Sequence, residues 1–78
     1  MSKGISWQEL AHCQTYAEHV LDFYRMCNNG KLPMTAGDAE QAVREYNKER
    51  RSFKAMFGYS IRGYMDEIVA RISFMVEE

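Results

Sequence analysis

The hydrophobic residues of this chain recur every three or four positions along most of its length. In the second half the series holds from Gly37 to Val76, and its members are Ala39, Val43, Tyr46, Phe53, Phe57, Ile61, Tyr64, Ile68, Ile72 and Met75. This spacing places every member on one side of a helix. Arg50 is the exception, because a cation stands where the spacing predicts an apolar residue. The pattern therefore predicts a helical second half with one apolar face.

A shorter apolar series predicts a first helix over about residues 6–27. Its members are Leu10, Cys13, Ala17, Val20, Tyr24 and Cys27, with Tyr16, Leu21 and Phe23 widening the stripe. Ser6 and Glu9 have the spacing of a capping box, in which each side chain accepts the other's backbone N–H. The Asn28-Asn29-Gly30 segment ends the helix, because asparagine and glycine tolerate the left-handed conformation of a C-cap.

The segment around Gly58 leaves two architectures open. In one, Gly58 is the left-handed residue that ends a helix, Tyr59 folds back on Phe53, and Ser60 caps the next helix. In the other, the helix runs through Gly58 for about 40 residues and about 60 Å. The first helix could cover only half of such a rod, so this alternative requires a dimer. Interior glycine costs about 1 kcal/mol relative to alanine, which favours the break.

The sequence thus predicts one all-α domain over residues 1–78, a small three-helix bundle. The predicted helices cover about residues 6–27, 36–57 and 60–76. The alternative is a two-helix hairpin with one long C-terminal helix, dimeric. A chain of 78 residues buries only roughly 60% of its unfolded surface, so its core is thin and self-association would add stability. A homo-oligomer is therefore among the expected partners.

Charge and apolar runs narrow the classes of partner and compartment. The net charge is −1, so attraction to nucleic acid or to an anionic membrane would need a local basic patch. No apolar run approaches the roughly 20 residues that span a bilayer, and we expect no membrane partner. Cys13 and Cys27 would lie about 21 Å apart on the first helix, too far for a disulfide. We expect reduced, core-facing thiols and a cytoplasmic protein.

The residue types needed for catalysis are present but poorly placed. His12 adjoins Cys13, yet helical neighbours point about 100° apart, and His19 is nearly two turns from His12. The histidines and cysteines match no zinc spacing, and the sequence has no glycine-rich phosphate loop. We therefore expect a protein that is not an enzyme and that carries no cofactor and no metal.

Cations offer one candidate binding surface. Arg44, Lys48 and Arg51 share the exposed side of the second helix, and Arg62 joins them if the helix runs on. Such a basic ridge could contact phosphates or an acidic protein surface. Glu40 pairs favourably with Arg44 at a spacing of four residues and consumes part of the charge. The basic ridge can be either a solvated helix face or a binding site, and the sequence leaves both interpretations open.

Arg50 is a separate candidate because it interrupts the apolar stripe. It could snorkel, or make a cation–π contact with Tyr46. It could also pair with an acid of the first helix: Glu9, Glu18 or Asp22. In a functional interpretation, Arg50 marks the edge of the core, where the stripe meets a partner.

A second candidate surface lies away from the main stripe of the last helix. Its members are Met56, Gly63, Ala70 and Phe74. Gly63 and Ala70 are small and seven residues apart, which would let another helix approach closely. A lone exposed Phe74 is the simpler interpretation.

These observations favour a small non-enzymatic protein that binds another protein. Compact chains of this kind are often regulators, adaptors or inhibitors, including some encoded by phages and mobile elements. The alternative is a nucleic-acid-binding regulator that uses the basic ridge. A structural subunit that only self-assembles is a third hypothesis.

Overall fold

The computed structural model describes residues 5–77, which form an all-α bundle without strands. Its elements are α1 (Trp7–Cys27), α2 (Ala36–Glu49), α3 (Phe53–Phe57), a 3₁₀ helix (Ile61–Tyr64) and α4 (Met65–Glu77). The all-α bundle predicted from hydrophobic spacing is confirmed. Within the described range, none of the helices is both long and apolar enough to cross a bilayer.

The limits of α1 follow from its caps, as the sequence predicts. The Ser6 hydroxyl accepts the N–H of Glu9 at 3.1 Å, and Glu9 Oε1 accepts the N–H of Ser6 at 2.9 Å. The helix ends at Cys27 with Asn28 as its C-cap, after which Asn29 (φ 56°) and Gly30 (φ 84°) are left-handed. Both ends are therefore specified by residues adjacent to the helix in sequence.

The break at Gly58 is present, so the continuous-helix alternative is wrong. Gly58 has φ 88°, a left-handed conformation that side chains disfavour. The ring of Tyr59 returns to that of Phe53, with their centroids 6.3 Å apart. The Ser60 hydroxyl accepts the N–H of Arg62 at 3.3 Å and opens the 3₁₀ helix. Because this turn is 3₁₀, α4 begins at Met65 rather than at residue 60.

A second break, which the hydrophobic spacing did not predict, divides the helix expected over residues 36–57. α2 ends at Glu49, and Ser52 caps α3 by accepting the N–H of Lys54 at 3.2 Å. Asn47 Oδ1 accepts the N–H of Phe53 at 2.7 Å. These side chains replace the helical acceptors of the new first turn, so the backbone leaves the helix at little cost in hydrogen bonds.

The three longer helices run up, down and up. α1 and α4 are parallel, because Glu9 contacts Tyr64 and, further along both helices, Gln14 contacts Arg71. α2 runs opposite to α4, since Ala39 near its start and Ile72 near the end of α4 line the same cleft. α3 and the 3₁₀ helix connect α2 to α4.

The core consists of ten residues that are at most 5% exposed: Cys13, Tyr16, Ala17, Val20, Ala39, Ala42, Val43, Phe53, Ile68 and Ile72. Every member of the apolar series predicted over the second half belongs to this core or packs against it. Cys27 is a correction, because it was expected to face the core and is exposed at the end of α1. Both cysteines are free thiols.

Tyr16 connects α1 to the turn between α2 and α3. Its hydroxyl lies 2.9 Å from both Asn47 Oδ1 and the Arg51 carbonyl oxygen, so its single proton is shared between two acceptors. Its ring meets those of Tyr46 and Phe53 edge-on, at 5.3 and 5.0 Å. Burial raises the pKa of the Tyr16 hydroxyl. These contacts fix the position where α2 ends.

Candidate protein-binding groove

A shallow groove of about 330 Å³ lies between the second half of α1 and the end of α2. Its lining residues are His19, Asp22, Phe23, Met26, Tyr46, Arg50 and Arg51. We call it the Met26 groove. It contains Arg50 and Arg51, two of the residues that the sequence indicated as partner-binding.

The end of α2 explains why these two arginines reach the groove. The backbone N–H groups of Arg50 and Arg51 both donate to the Tyr46 carbonyl oxygen, at 3.0 and 3.1 Å. Arg50 closes the helix with φ −110° and ψ −60°. The Arg51 bond spans five residues, so the last turn is wider than a regular α-helical turn. This turn and the break after it take both residues out of the α2 helix and bring them to the edge of α1.

Arg50 makes a cation–π contact, but with a different partner from the one predicted. Its Cζ lies 5.1 Å from the centroid of the Phe23 ring, not over Tyr46. Tyr46 instead packs edge-on against Phe23, with the centroids 5.4 Å apart. No ion pair joins Arg50 to an acid of α1 within the described residues. The guanidinium is therefore positioned by an aromatic ring while its charge stays available.

Met26 stands beside the groove with 74% of its surface exposed. A second depression of about 330 Å³ lies on its other side, lined by Asp22, Arg25, Met26 and Gly30. Asp22 and Met26 line both depressions. The site offers an exposed methionine shared by two shallow depressions.

The surroundings of Met26 are basic although the chain as a whole is not. The two depressions contain three arginines and one aspartate, a local charge of +2, whereas the whole chain carries −1. The ion pairs found among residues 5–77 are Arg44–Glu40 at 2.6 Å and Arg71–Glu67 at 3.0 Å. Neither involves an arginine of the groove. An acidic partner would therefore meet arginines that form no ion pair within residues 5–77.

The predicted basic ridge is not a single helical surface. Arg44 and Lys48 are exposed on α2, where Arg44 is engaged by Glu40. Arg51 lies beyond the end of α2, and Arg62 belongs to the 3₁₀ helix. The breaks at residues 50–52 and 58–60 therefore separate the four cations among three segments.

The second predicted surface is also divided. Met56 lies on α3 and packs against the core, and Gly63 lies in the 3₁₀ helix. Ala70 and Phe74 alone share a face, on α4, where Phe74 is 75% exposed. The close approach expected at Gly63 and Ala70 required one helix through both, which the 3₁₀ turn interrupts.

Sequence reasoning missed the α1 side of the groove. Phe23 appeared only as a residue that widens the apolar stripe, and Met26 was not singled out. Asp22 was considered as an acid that could pair with Arg50, and both Asp22 and Arg25 are exposed in the structure. The signal that was present is Met26 itself, a large apolar residue outside the apolar stripe of α1.

His12 and Cys13 have separate environments although they are adjacent in sequence. The His12 ring stacks on Phe57 with centroids 4.3 Å apart, and its buried Nδ1 has no hydrogen-bond partner in the described part. Cys13 is fully buried, and burial raises the pKa of its thiol to about 11. Burial thus disfavours the thiolate, which is the nucleophilic form of cysteine.

The Met26 groove can make three kinds of contact. Arg50 and Arg51 suit carboxylates, Met26 adapts to an apolar side chain, and Phe23 supplies an aromatic wall. Across residues 5–77, no group of three or more His, Cys, Asp or Glu side chains is arranged to hold a metal ion. Comparisons with protein-family models, with curated proteins and with solved structures find no match to this chain.

Proposed function

We propose that this protein is a small non-enzymatic binding protein that docks another protein in the Met26 groove and acts as a regulator, adaptor or inhibitor. One observation carries the proposal: Arg50 and Arg51 form no ion pair within residues 5–77, and they lie beside a 74%-exposed methionine in a shallow groove. Arginine, methionine and aromatic residues are the types enriched at protein–protein interfaces. Arginine is also among the residues that contribute most binding energy.

The electrostatics of the groove support an acidic partner surface. Complementary charge steers association and selects among partners. Arg50 is already held over Phe23, so less side-chain freedom is lost when a carboxylate binds it. The unbridged thiols of Cys13 and Cys27 support a reducing compartment such as the cytoplasm for this activity.

A nucleic-acid-binding regulator has less support. Non-specific binding of single strands needs open aromatic faces beside the cations, on which bases stack. One face of Phe23 is occupied by Arg50, and Tyr46 is half-buried with both Tyr16 and Phe23 against it. The aspartate in the groove, Asp22, would also repel phosphates. The groove therefore suits carboxylates with apolar neighbours better than a nucleotide chain.

The test compares matched variants in capture and in direct binding. Wild type, a groove variant (Arg50→Gln with Arg51→Gln) and a control variant (Arg44→Gln with Lys48→Gln) are immobilised and exposed to native lysate. Proteins retained by wild type are identified by mass spectrometry, produced separately and titrated by calorimetry. We expect the groove variant to lose affinity about 10-fold or more, which corresponds to about 1.4 kcal/mol. The control variant should bind like wild type.

Three results would overturn the proposal. The first is that wild type retains no protein from the lysate. The second is a partner bound equally well by wild type and by the groove variant. The third is binding of labelled DNA or RNA oligonucleotides that weakens steeply with salt and is lost with Arg44 and Lys48. The third result would favour the nucleic-acid-binding regulator.

A further inference from the structure

The exposed side of α4 carries a stripe with the opposite character to the Met26 groove. Its members are Asp66, Ala70, Phe74 and Glu77, and all four are exposed. Their helical spacing puts them on one side of α4 over about 17 Å. Phe74, at 75% exposure, is the large apolar residue of the stripe. We call it the Phe74 stripe.

The charge of the Phe74 stripe complements that of the groove. Asp66 and Glu77 take part in no ion pair within residues 5–77, whereas the neighbouring Glu67 is engaged by Arg71. The stripe thus presents two free carboxylates and an aromatic ring. The groove presents a local charge of +2 and an exposed methionine. Sulfur–aromatic contacts between methionine and phenylalanine are favourable.

We propose that a second copy of this chain occupies the Met26 groove, with the Phe74 stripe of one copy docked between the arginines of the other. The inference rests on the proposed function in that it uses the same groove, and it makes self-association a competitor of the outside partner. The two surfaces differ, so the contact is heterologous. The assembly closes into a pair or a ring if the rotation between successive copies returns to the first copy, and otherwise it continues as an open chain.

Charge reversal gives a specific test, because the two surfaces can be inverted separately. The groove-reversed variant carries Arg50→Glu with Arg51→Glu, and the stripe-reversed variant carries Asp66→Lys with Glu77→Lys. Each variant alone brings like charges together at the contact. In an equimolar mixture, the acidic groove meets the basic stripe and the unchanged groove meets the unchanged stripe. The mixture should therefore assemble more tightly than either variant alone.

Sedimentation velocity and light scattering, from micromolar to millimolar concentration, measure the assembly. We expect the average mass of wild type to rise with concentration and the rise to weaken with salt. Each reversed variant, and Phe74→Ala as a variant with unchanged charge, should lose about 10-fold or more in association constant. Arg44→Glu with Lys48→Glu is the matched charge control and should assemble like wild type. Circular dichroism verifies that every variant is folded.

Three outcomes would overturn the inference: wild type that stays monomeric throughout, a reversed variant that assembles as wild type does, or a mixture that stays monomeric. Its failure is distinguishable from that of the proposed function. Monomeric wild type that still captures a protein through Arg50 and Arg51 refutes only the self-docking. Assembly that follows the charge-reversal pattern without capture of any outside protein refutes only the proposed function.

Discussion

Substitution of Asn47 is the most direct test of what stabilises the helix break at residues 50–52, which the sequence did not predict. The substitution Asn47→Ala removes Oδ1, which accepts the Phe53 N–H at 2.7 Å and shares the Tyr16 hydroxyl proton at 2.9 Å. Tyr16 retains a second acceptor, the Arg51 carbonyl oxygen at 2.9 Å. Among residues 5–77, Asn47 Oδ1 is the acceptor found for the Phe53 N–H, and no second one is present. The main cost therefore falls on one backbone amide.

The expected loss is a large share of the stability of this protein. A polar group left without a partner in a part-buried site costs about 1–3 kcal/mol, and weakening the Tyr16 hydrogen bond adds a fraction of that. We expect Asn47→Ala to lower the free energy of unfolding by about 2 kcal/mol. A domain of 78 residues has a total of about 4–12 kcal/mol. The melting temperature should fall by about 8–16 °C.

Urea unfolding followed by circular dichroism measures this loss. Asn47→Asp is the matched control, because aspartate keeps an acceptor oxygen at the same place and exchanges the amide NH₂ for a second, charged oxygen. At neutral pH it should stay within about 1 kcal/mol of wild type. A double-mutant cycle of Asn47→Ala with Tyr16→Phe should give a coupling of about 0.5–1.5 kcal/mol.

Either of two results would refute this reasoning. One is Asn47→Ala within about 0.5 kcal/mol of wild type, the range of ordinary surface substitutions. The other is Asn47→Asp as unstable as Asn47→Ala, which would show that volume or helix propensity matters rather than the acceptor oxygen.

Three further predictions concern other parts of the bundle. Gly58→Ala should cost about 1–2 kcal/mol in urea unfolding, because φ 88° is left-handed although a Cβ there would meet no atom. Thiol titration of the native protein should label Cys27 quickly and Cys13 only in denaturant, since Cys13 is buried and its pKa is raised to about 11. The hydrogen bond from the Tyr64 hydroxyl lowers the pKa of Glu9 from 4.5. This bond stabilises the fold at pH values above the ordinary pKa of Glu9, and the stabilisation is lost as the pH falls through the lowered pKa. Tyr64→Phe should therefore flatten the acid side of the stability–pH curve.

The parts of the fold that sequence predicts are those specified by neighbouring residues. The limits of α1 follow from a capping box and a left-handed C-terminus, and the break at Gly58 follows from the same chemistry. The break at residues 50–52 escaped prediction because Asn47 and Tyr16 stabilise it through a contact between α1 and α2. One local signal existed: the apolar series fails at Arg50, the residue that ends α2.

The sequence predicted the arginine side of the candidate groove but not its α1 side. Arg50 drew attention as a cation in an apolar stripe, and it does lie at the edge of the core. Tyr46 was one expected partner for it, because the predicted helix over residues 36–57 continues through Arg50. Because α2 ends beforehand, the guanidinium reaches Phe23 on α1 instead. Met26 is exposed because it lies outside the apolar stripe of α1, a signal that the spacing did contain.

Because α1 packs against α4, the bundle cannot be completed during synthesis until α4 has left the ribosome. The ribosome makes α1 first, yet the Glu9–Tyr64 hydrogen bond joins residues 55 positions apart. Until α4 emerges, much of the apolar side of α1 has nothing to cover it. A nascent chain that stalls before α4 would therefore be a substrate for chaperones and proteases rather than a smaller working unit.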